Sequence, residues 1–122
     1  MKAGILKETW PGEARVAVVP AAVPAFKRAG VEVMVESGAG LAAGFRDTDY
    51  EEKGAQIATR AEVLSSAKLL LSVRSLGGGH DAEAIAQLGG DHIVLGFLDP
   101  LGSPEGVKAL ATRGATAFSV EM

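Results

Sequence analysis

Three features of the sequence predict an open, mostly parallel, doubly wound α/β sheet with helices on both faces. Short apolar runs alternate with helix-like segments along the whole chain, as repeated strand–helix–strand units require. One run, Leu69–Val73, is apolar without interruption, which suits a central parallel strand covered on both sides. Proline or a capping residue opens several helical segments, and glycine closes them.

Ala3–Leu6 is short, apolar and bounded by charge, and is the expected first strand. Lys7–Pro20, KETWPGEARVAVVP, comes next and hands over to the first helix. Such a connection normally takes roughly two to six residues, and this one takes about a dozen. It carries Lys7, Glu8, Trp10, Glu13 and Arg15. Ligands of open parallel sheets bind outside the carboxyl ends of the strands, so a long charged loop there is a candidate ligand-handling element. The competing reading is a solvated loop in which Trp10 caps the core.

Val16–Val19 reads as extended, Pro20 opens a helix, and Pro24 falls in its first turn, where a missing N–H costs nothing. Val23 and Phe26 share its inner face, Lys27 and Arg28 occupy its last turn, and Gly30 is the expected stop. Val31, Val33 and Val35 alternate with Glu32, Met34 and Glu36, a strand with one polar face near a sheet edge. Ser37–Gly44, SGAGLAAG, is a small-residue loop; as a phosphate cradle it lacks the GxGxxG spacing. Asp47 is the expected N-cap of a short helix ending at Gly54, and Ala55–Ala58 is a brief strand. Thr59 and Glu62 form a capping box that starts a helix reaching about Ala67.

The Leu69–Val73 strand ends at Arg74. Gly77-Gly78-Gly79 is a turn before a helix over His80–Leu88 with Ala84, Ile85 and Leu88 inward; its N–H groups could face an anion, or it is simply a loose loop. His92–Leu98 is a further buried strand running into Asp99-Pro100. Ser103-Pro104-Glu105 combines an N-cap, an N1 proline and an acidic first turn, for a helix to about Arg113 stopped by Gly114. Ala115–Val120 is the last strand. With no helix after it, the segment reads as a domain of a longer protein. The expected fold is thus a Rossmann-like or flavodoxin-like sheet.

Composition narrows the function classes. The 122 residues make one domain with 48% apolar and 22% charged residues, an ordinary globular balance. A net charge of −3 gives no basic face for nucleic acid. There is no Cys, hence no disulfide and no thiol catalysis. No apolar run approaches the roughly 20 residues that span a bilayer, and no signal-peptide layout begins the chain, so a cytoplasmic setting is expected. His80 and His92 are the only histidines; without HxxxH or HxH spacing no metal site is expected.

Arg15 follows the first strand, Arg74 the Leu69–Val73 strand, and Asp99 the His92–Leu98 strand, so the topology places all three on one rim. Two guanidiniums can grip a carboxylate bidentately, as a 2-oxo or amino acid requires. Each has a plainer reading. Arg15 can pair with Glu8 or Glu13, Arg74 can be a surface cation, and Asp99 can be a turn residue before Pro100.

Three segments, KETWPGEARVAVVP, VESGAGLAAGFRDTDYEEKGAQI and GFLDPLGSPEGVKALATRGATAFSVEM, resemble the amino-terminal domain shared by alanine dehydrogenases and nicotinamide nucleotide transhydrogenase α subunits. They occur in the expected order over nearly the whole chain, and GFLDPL resembles the transhydrogenase branch more. In the dehydrogenases, the resemblance implies, an arginine at the Arg15 position and a basic residue near Arg74 hold the pyruvate carboxylate. A histidine at the position of Asp99 serves there as acid/base. Aspartate, with a reference pKa of about 3.9, is a poor proton donor at neutral pH. That departure favours hydride exchange between two nucleotides, in which no substrate atom needs a proton.

The resemblance therefore implies the N-terminal domain (residues 1–122) of a transhydrogenase α subunit, with hydride transfer between NAD(H) and NADP(H) coupled to proton translocation. NAD(H) would bind mainly to a dinucleotide-binding domain beyond Met122, and NADP(H) to a partner subunit. The partners implied are the membrane and NADP(H)-binding subunits and a second copy in a homodimer, with the domain peripheral to the inner membrane. The alternatives are the substrate-binding domain of an alanine or related amino-acid dehydrogenase, or a non-catalytic assembly module.

Overall fold

Six parallel strands form one open sheet in the order β3-β2-β1-β4-β5-β6. The structure is a computed structural model that describes residues 1–74, 76 and 81–120. The strands are β1 (Lys2–Ile5), β2 (Glu32–Glu36), β3 (Gln56–Ala58), β4 (Leu69–Leu71), β5 (Ile93–Gly96) and β6 (Thr116–Ser119). Each lies within a residue or two of the stretch the apolar runs mark. Between them run α1 (Val23–Arg28, after a 3₁₀ turn at Pro20–Ala22), α2 (Asp47–Glu52), α3 (Arg60–Ser66), α4 (Ala82–Ile85) and α5 (Pro104–Thr112). Every neighbouring pair is parallel, so all carboxyl ends open on one rim.

Local chemistry accounts for most element ends. Pro24 occupies the first turn of α1, and Gly30 follows its C-cap at φ +80°, a conformation that favours glycine. The Thr59 hydroxyl accepts the Glu62 N–H and donates to the Glu62 carboxylate, opening α3 as the capping pattern demands. Asp47 is a correction: it is the first residue of α2, whose N-cap is Arg46. The Asp47 carboxylate instead accepts from the Ser37 hydroxyl at 2.6 Å and the Gly38 N–H at 2.9 Å. Asp49 takes over the cap by accepting the Arg46 N–H. Ser103 holds the N-cap position of α5 without a side-chain cap bond. The helix expected over His80–Leu88 is the short α4, capped by Asp81, with Ala84, Ile85 and Leu88 buried; Gly77, Gly78, Gly79 and His80 lie outside the described residues.

One face is clad from β2 across to β5, while Ala117 of β6 is exposed on it. Met34, Leu70 and Val94 point to Val63 and Leu64 of α3 and Ala67 just after it, to Ala84, Ile85 and Leu88, and to Leu110 of α5. The other face is clad over half its width. There Val23, Val18 and Tyr50 cover Ala3, Ile5, Val33 and Val35. Register carries that layer from Val35 through Ile5, Leu71 and Leu95 to Phe118. Exposure along the row climbs from 0% at Val35 and Ile5 to 8%, 37% and 54%. Helices do flank both faces, but among the described residues no helix covers one side of β5 and β6, which carries Leu95 and Phe118. β2 likewise refines the edge expectation: β3 lies outside it, and Met34 on its supposedly polar face is buried.

Tyr50 pins the long loop to this core. Its hydroxyl, on a ring with no exposure, donates to the Val18 carbonyl at 2.7 Å. Burial first, and the Asp47 charge second, push its pKa up to about 12. The neutral form is thus favoured in the fold, and that stabilisation persists below pH about 10 and is lost as pH rises through about 12. Tyr50→Phe, which leaves a buried carbonyl unpaired, is expected to lower unfolding free energy by about 1–3 kcal/mol in urea titration.

Candidate functional site at the strand-end rim

Strand order reverses direction between β1 and β4, because β1 leads outward to β2 and β4 leads the other way to β5. The crevice at such a switch point is the usual ligand seat of open α/β sheets. Here the chain fills some of it with its own carboxylate. Glu8, just after β1, accepts the Val73 N–H at 2.9 Å and the Arg74 N–H at 2.7 Å. One side chain thereby ties the start of the long loop to the outlet of β4.

Arg74 lies three residues past the end of β4 rather than at its end. Its guanidinium stacks on the Trp10 ring at 4.3 Å, so Trp10 is a platform for that cation and only half-buried. Arg15 is paired locally: its Nε and Nη2 each reach a Glu13 oxygen at 2.8 Å, and its backbone N–H reaches Oε2 at 2.9 Å. The same guanidinium lies 5.6 Å from the Phe97 ring centre. Arg15 and Arg74 meet electrostatically at Glu13, since both charges act to lower its pKa. Arg15 lines two adjoining clefts, and Arg74 lines neither.

The larger cleft, about 730 Å³, lies between the Val16–Val19 segment with Phe26 and the apolar sheet face at Leu71, Leu95, Phe97 and Val120. Val16–Val19 therefore joins no strand and forms a wall. The smaller, about 170 Å³, is bounded by the charged Lys7, Glu8, Glu13 and Arg15 and by Gly38, Ala39, Leu41 and Ala42. Beside it, the Ser37–Gly44 loop uses its N–H groups internally. Gly38 donates to Asp47, Ala39 to the Glu36 carbonyl, and Leu41, Ala43 and Gly44 to carbonyls within the loop. That leaves little for a phosphate.

Asp99 sits beyond β5 at φ +48°. Its carboxylate accepts the Gly102 N–H at 3.2 Å and its carbonyl accepts the Ser103 N–H at 2.8 Å, the bonding of a turn residue ahead of α5. It lines neither cleft. His92 is buried at the opposite edge, its Nδ1 accepting the Gly89 N–H at 2.9 Å.

A cross-link that the sequence pattern did not single out lies on the same rim. Arg60, first residue of α3, binds the Glu36 carboxylate at 2.9 Å, the Lys7 carbonyl at 3.3 Å and the Asp81 carboxylate. Glu36 also accepts the Lys7 N–H at 2.6 Å. The outlets of β1 and β2 and the starts of α3 and α4 are thus joined through one guanidinium. Its place just after β3 was a signal of the kind that marked Arg15 and Arg74.

The Glu13 carboxyl is held at about 2 against an ordinary value of 4.5, chiefly by the hydrogen bonds from Arg15, with burial opposing. A depressed acid stabilises the fold above its unfolded pKa and loses that contribution as pH falls through the folded one. Carbon-detected NMR is expected to show Glu13 titrating near pH 2. In Glu13→Gln the acid-stability curve is expected to flatten between pH 4.5 and about 2.

Residues 4–122 match the family described as alanine dehydrogenase/PNT, N-terminal domain. The chain is 36% identical over 124 residues to the first component of the NAD(P) transhydrogenase alpha subunit of Rhodospirillum rubrum, covering 100% of this chain and 32% of that protein. It is 34% identical over 122 residues to alanine dehydrogenase of Mycobacterium tuberculosis, covering 99% and 32%. Among solved structures it matches the transhydrogenase from Sinorhizobium meliloti with TM-score 0.90 and 34% identity, over 99% of this chain and 35% of that one. An L-alanine dehydrogenase matches with TM-score 0.86 and 30% identity, over 98% and 32%. The chain spans about a third of the length of the curated relatives it matches.

Proposed function

The chain belongs to the alanine dehydrogenase/PNT N-terminal domain family, whose named members here are oxidoreductases, and from that membership we propose that it is the N-terminal domain of an NAD(P) transhydrogenase α subunit. The full protein would pass a hydride between NAD(H) and NADP(H), coupled to proton translocation by membrane subunits. The observation that carries this reading is Asp99. Reduction of an imine or carbonyl requires a proton at the acceptor atom, and a carboxylate folded onto its own turn is poorly suited to deliver one. Transfer between two nicotinamide rings has no such requirement.

The residues at the switch point do not fit a dinucleotide. A pyrophosphate there needs N–H donors at a helix start. Glu8 instead occupies the crevice with negative charge and consumes the Val73 and Arg74 N–H groups. We therefore assign NAD(H) binding mainly to a further domain beyond Met122, and NADP(H) to a partner subunit. The apolar half-face of β5 and β6 supports a chain that works inside a larger assembly, as a homodimer at the cytoplasmic surface of the inner membrane.

Two measurements test this. The full-length protein, with its membrane subunits, is expected to move hydride from NADH to a thionicotinamide analogue of NADP; no transfer rejects the assignment. Calorimetric titration of the 122-residue domain with NADH is expected to give no micromolar binding. Micromolar affinity would overturn the downstream placement of the cofactor.

A further inference from the structure

We propose that Arg60 is a positioning residue for the strand-end rim: through Lys7 and Glu8 it sets where the outlet of β4 delivers the Arg74 guanidinium. The inference rests on the function proposed above only in taking that rim as the reaction side.

Both ends of the connection from β4 to α4 are tied to one adjacent pair of residues, Lys7 and Glu8. At the entry, the Glu8 carboxylate accepts the Val73 N–H at 2.9 Å and the Arg74 N–H at 2.7 Å. At the exit, Asp81 binds Nη2 of Arg60 through one carboxylate oxygen. Its other oxygen caps α4 by accepting the Ala84 N–H at 3.0 Å. Nη1 of the same guanidinium donates to the Glu36 carboxylate at 2.9 Å and to the Lys7 carbonyl at 3.3 Å. Glu36 in turn accepts the Lys7 N–H at 2.6 Å. The Arg60–Glu36 pair thus fixes both backbone groups of Lys7, and the next side chain is the one that holds Val73 and Arg74.

Burial and side-chain chemistry give this network a fixed geometry. The Glu36 and Asp81 side chains are 13% and 12% exposed and Arg60 is 26% exposed, unlike the solvated ion pairs that contribute little. A guanidinium offers separate N–H donors in a rigid fork and reaches all three partners at once, whereas an ammonium is a single point charge. The effect reaches the Arg74 side chain by a second route. Its guanidinium stacks on the Trp10 ring at 4.3 Å, and Trp10 lies two residues past Glu8. A shift at Lys7 therefore moves the anchor of the Arg74 backbone and the ring on which its charge rests.

The experiment is hydrogen exchange of the full-length protein, resolved to single amides by mass spectrometry. Arg60→Lys keeps a cation between the two acids but cannot span all three partners. It is expected to speed exchange at the Val73 and Arg74 amides, which Arg60 does not touch, about tenfold. The Ile93 amide, held by the Lys68 carbonyl at 2.7 Å away from the rim, is expected to keep its parental rate. Glu36→Gln leaves an amide oxygen for the Lys7 N–H and removes the ion pair, so a smaller rise at Val73 and Arg74 is expected. Glu8→Gln alone should speed the same two amides, and adding Arg60→Lys to it should change them by less than about twofold, because one clamp is already open. If Arg60 merely welds α3 to α4, Arg60→Lys will speed the Ala84 amide and leave Val73 and Arg74 as in the parent, which overturns the proposal. An equal rise at Ile93 is a general loosening and overturns it too. Exchange requires no turnover, so the outcome is independent of which hydride acceptor the full-length protein uses.

Discussion

Gly4→Ala is expected to lower the stability of the domain by about 1–3 kcal/mol, the usual cost of overfilling a packed core. A Cβ at Gly4 would lie 2.7 Å from both the Ala67 Cβ and the Val63 Cγ1, with the Leu70 Cδ2 at 3.1 Å. Those atoms belong to α3, its C-cap Ala67 and β4, which cannot all retreat, because β4 is held to β1 by register and α3 by its capped start. The central strand therefore has to bear glycine where α3 crosses it. Thermal unfolding followed by circular dichroism should show a midpoint lower by roughly 4–15 °C for a domain of this size. A shift under about 1 °C would mean that α3 floats over the sheet rather than clamping it. Gly96 tells the same story at the rim, where an added Cβ would meet the Ser72 carbonyl at 2.5 Å.

The strands were legible because each is a compact apolar run set off by glycine, proline or charge. Leu69–Leu71 and Ile93–Gly96 are buried by their position in the sheet, and their sequences carry the valines and leucines that such burial selects. The helix start at Thr59 and the proline-opened turn at Pro20 that leads into α1 were legible because such signals are local, settled within four residues. Asp47 failed on the same ground: two residues in the neighbouring loop, Ser37 and Gly38, draw its carboxylate away from its own helix. Rim membership of Arg15, Arg74 and Asp99 followed from topology, but their side-chain partners did not. Glu8 reaches residues 73 and 74, and Arg60 reaches Lys7, Glu36 and Asp81, across separations that spacing does not encode. The half-bare sheet face was hidden for a related reason. Leu95 and Phe118 look like core residues in sequence, and only the strand order shows that no helix of the described chain lies over them.

The full-length protein is expected to lack alanine dehydrogenase activity, with Asp99 as the cause. Hydride arriving at an imine or carbonyl leaves nitrogen or oxygen in need of a proton. A positioned acid typically contributes about 10² to 10⁴ in rate, and histidine, with a reference pKa of about 6.5, supplies that proton at neutral pH. A carboxylate in the same sequence position supplies none. In this chain it is also committed to the Gly102 N–H, in a turn so close that a Cβ on Gly102 would lie 2.6 Å from its oxygens. Its charge would oppose the pyruvate carboxylate, and the Arg15 fork that could hold that carboxylate is already closed on Glu13. Both obstacles act against a carboxylate substrate, while neither bears on transfer between two nicotinamide rings. The check is a pair of assays on the unmodified full-length protein: NADH with pyruvate and ammonia, and NADH with a thionicotinamide analogue of NADP. Turnover in the second and a rate at least about 10²-fold lower in the first is the expected pattern. Robust pyruvate turnover would overturn the transhydrogenase assignment and put amino-acid dehydrogenation in its place.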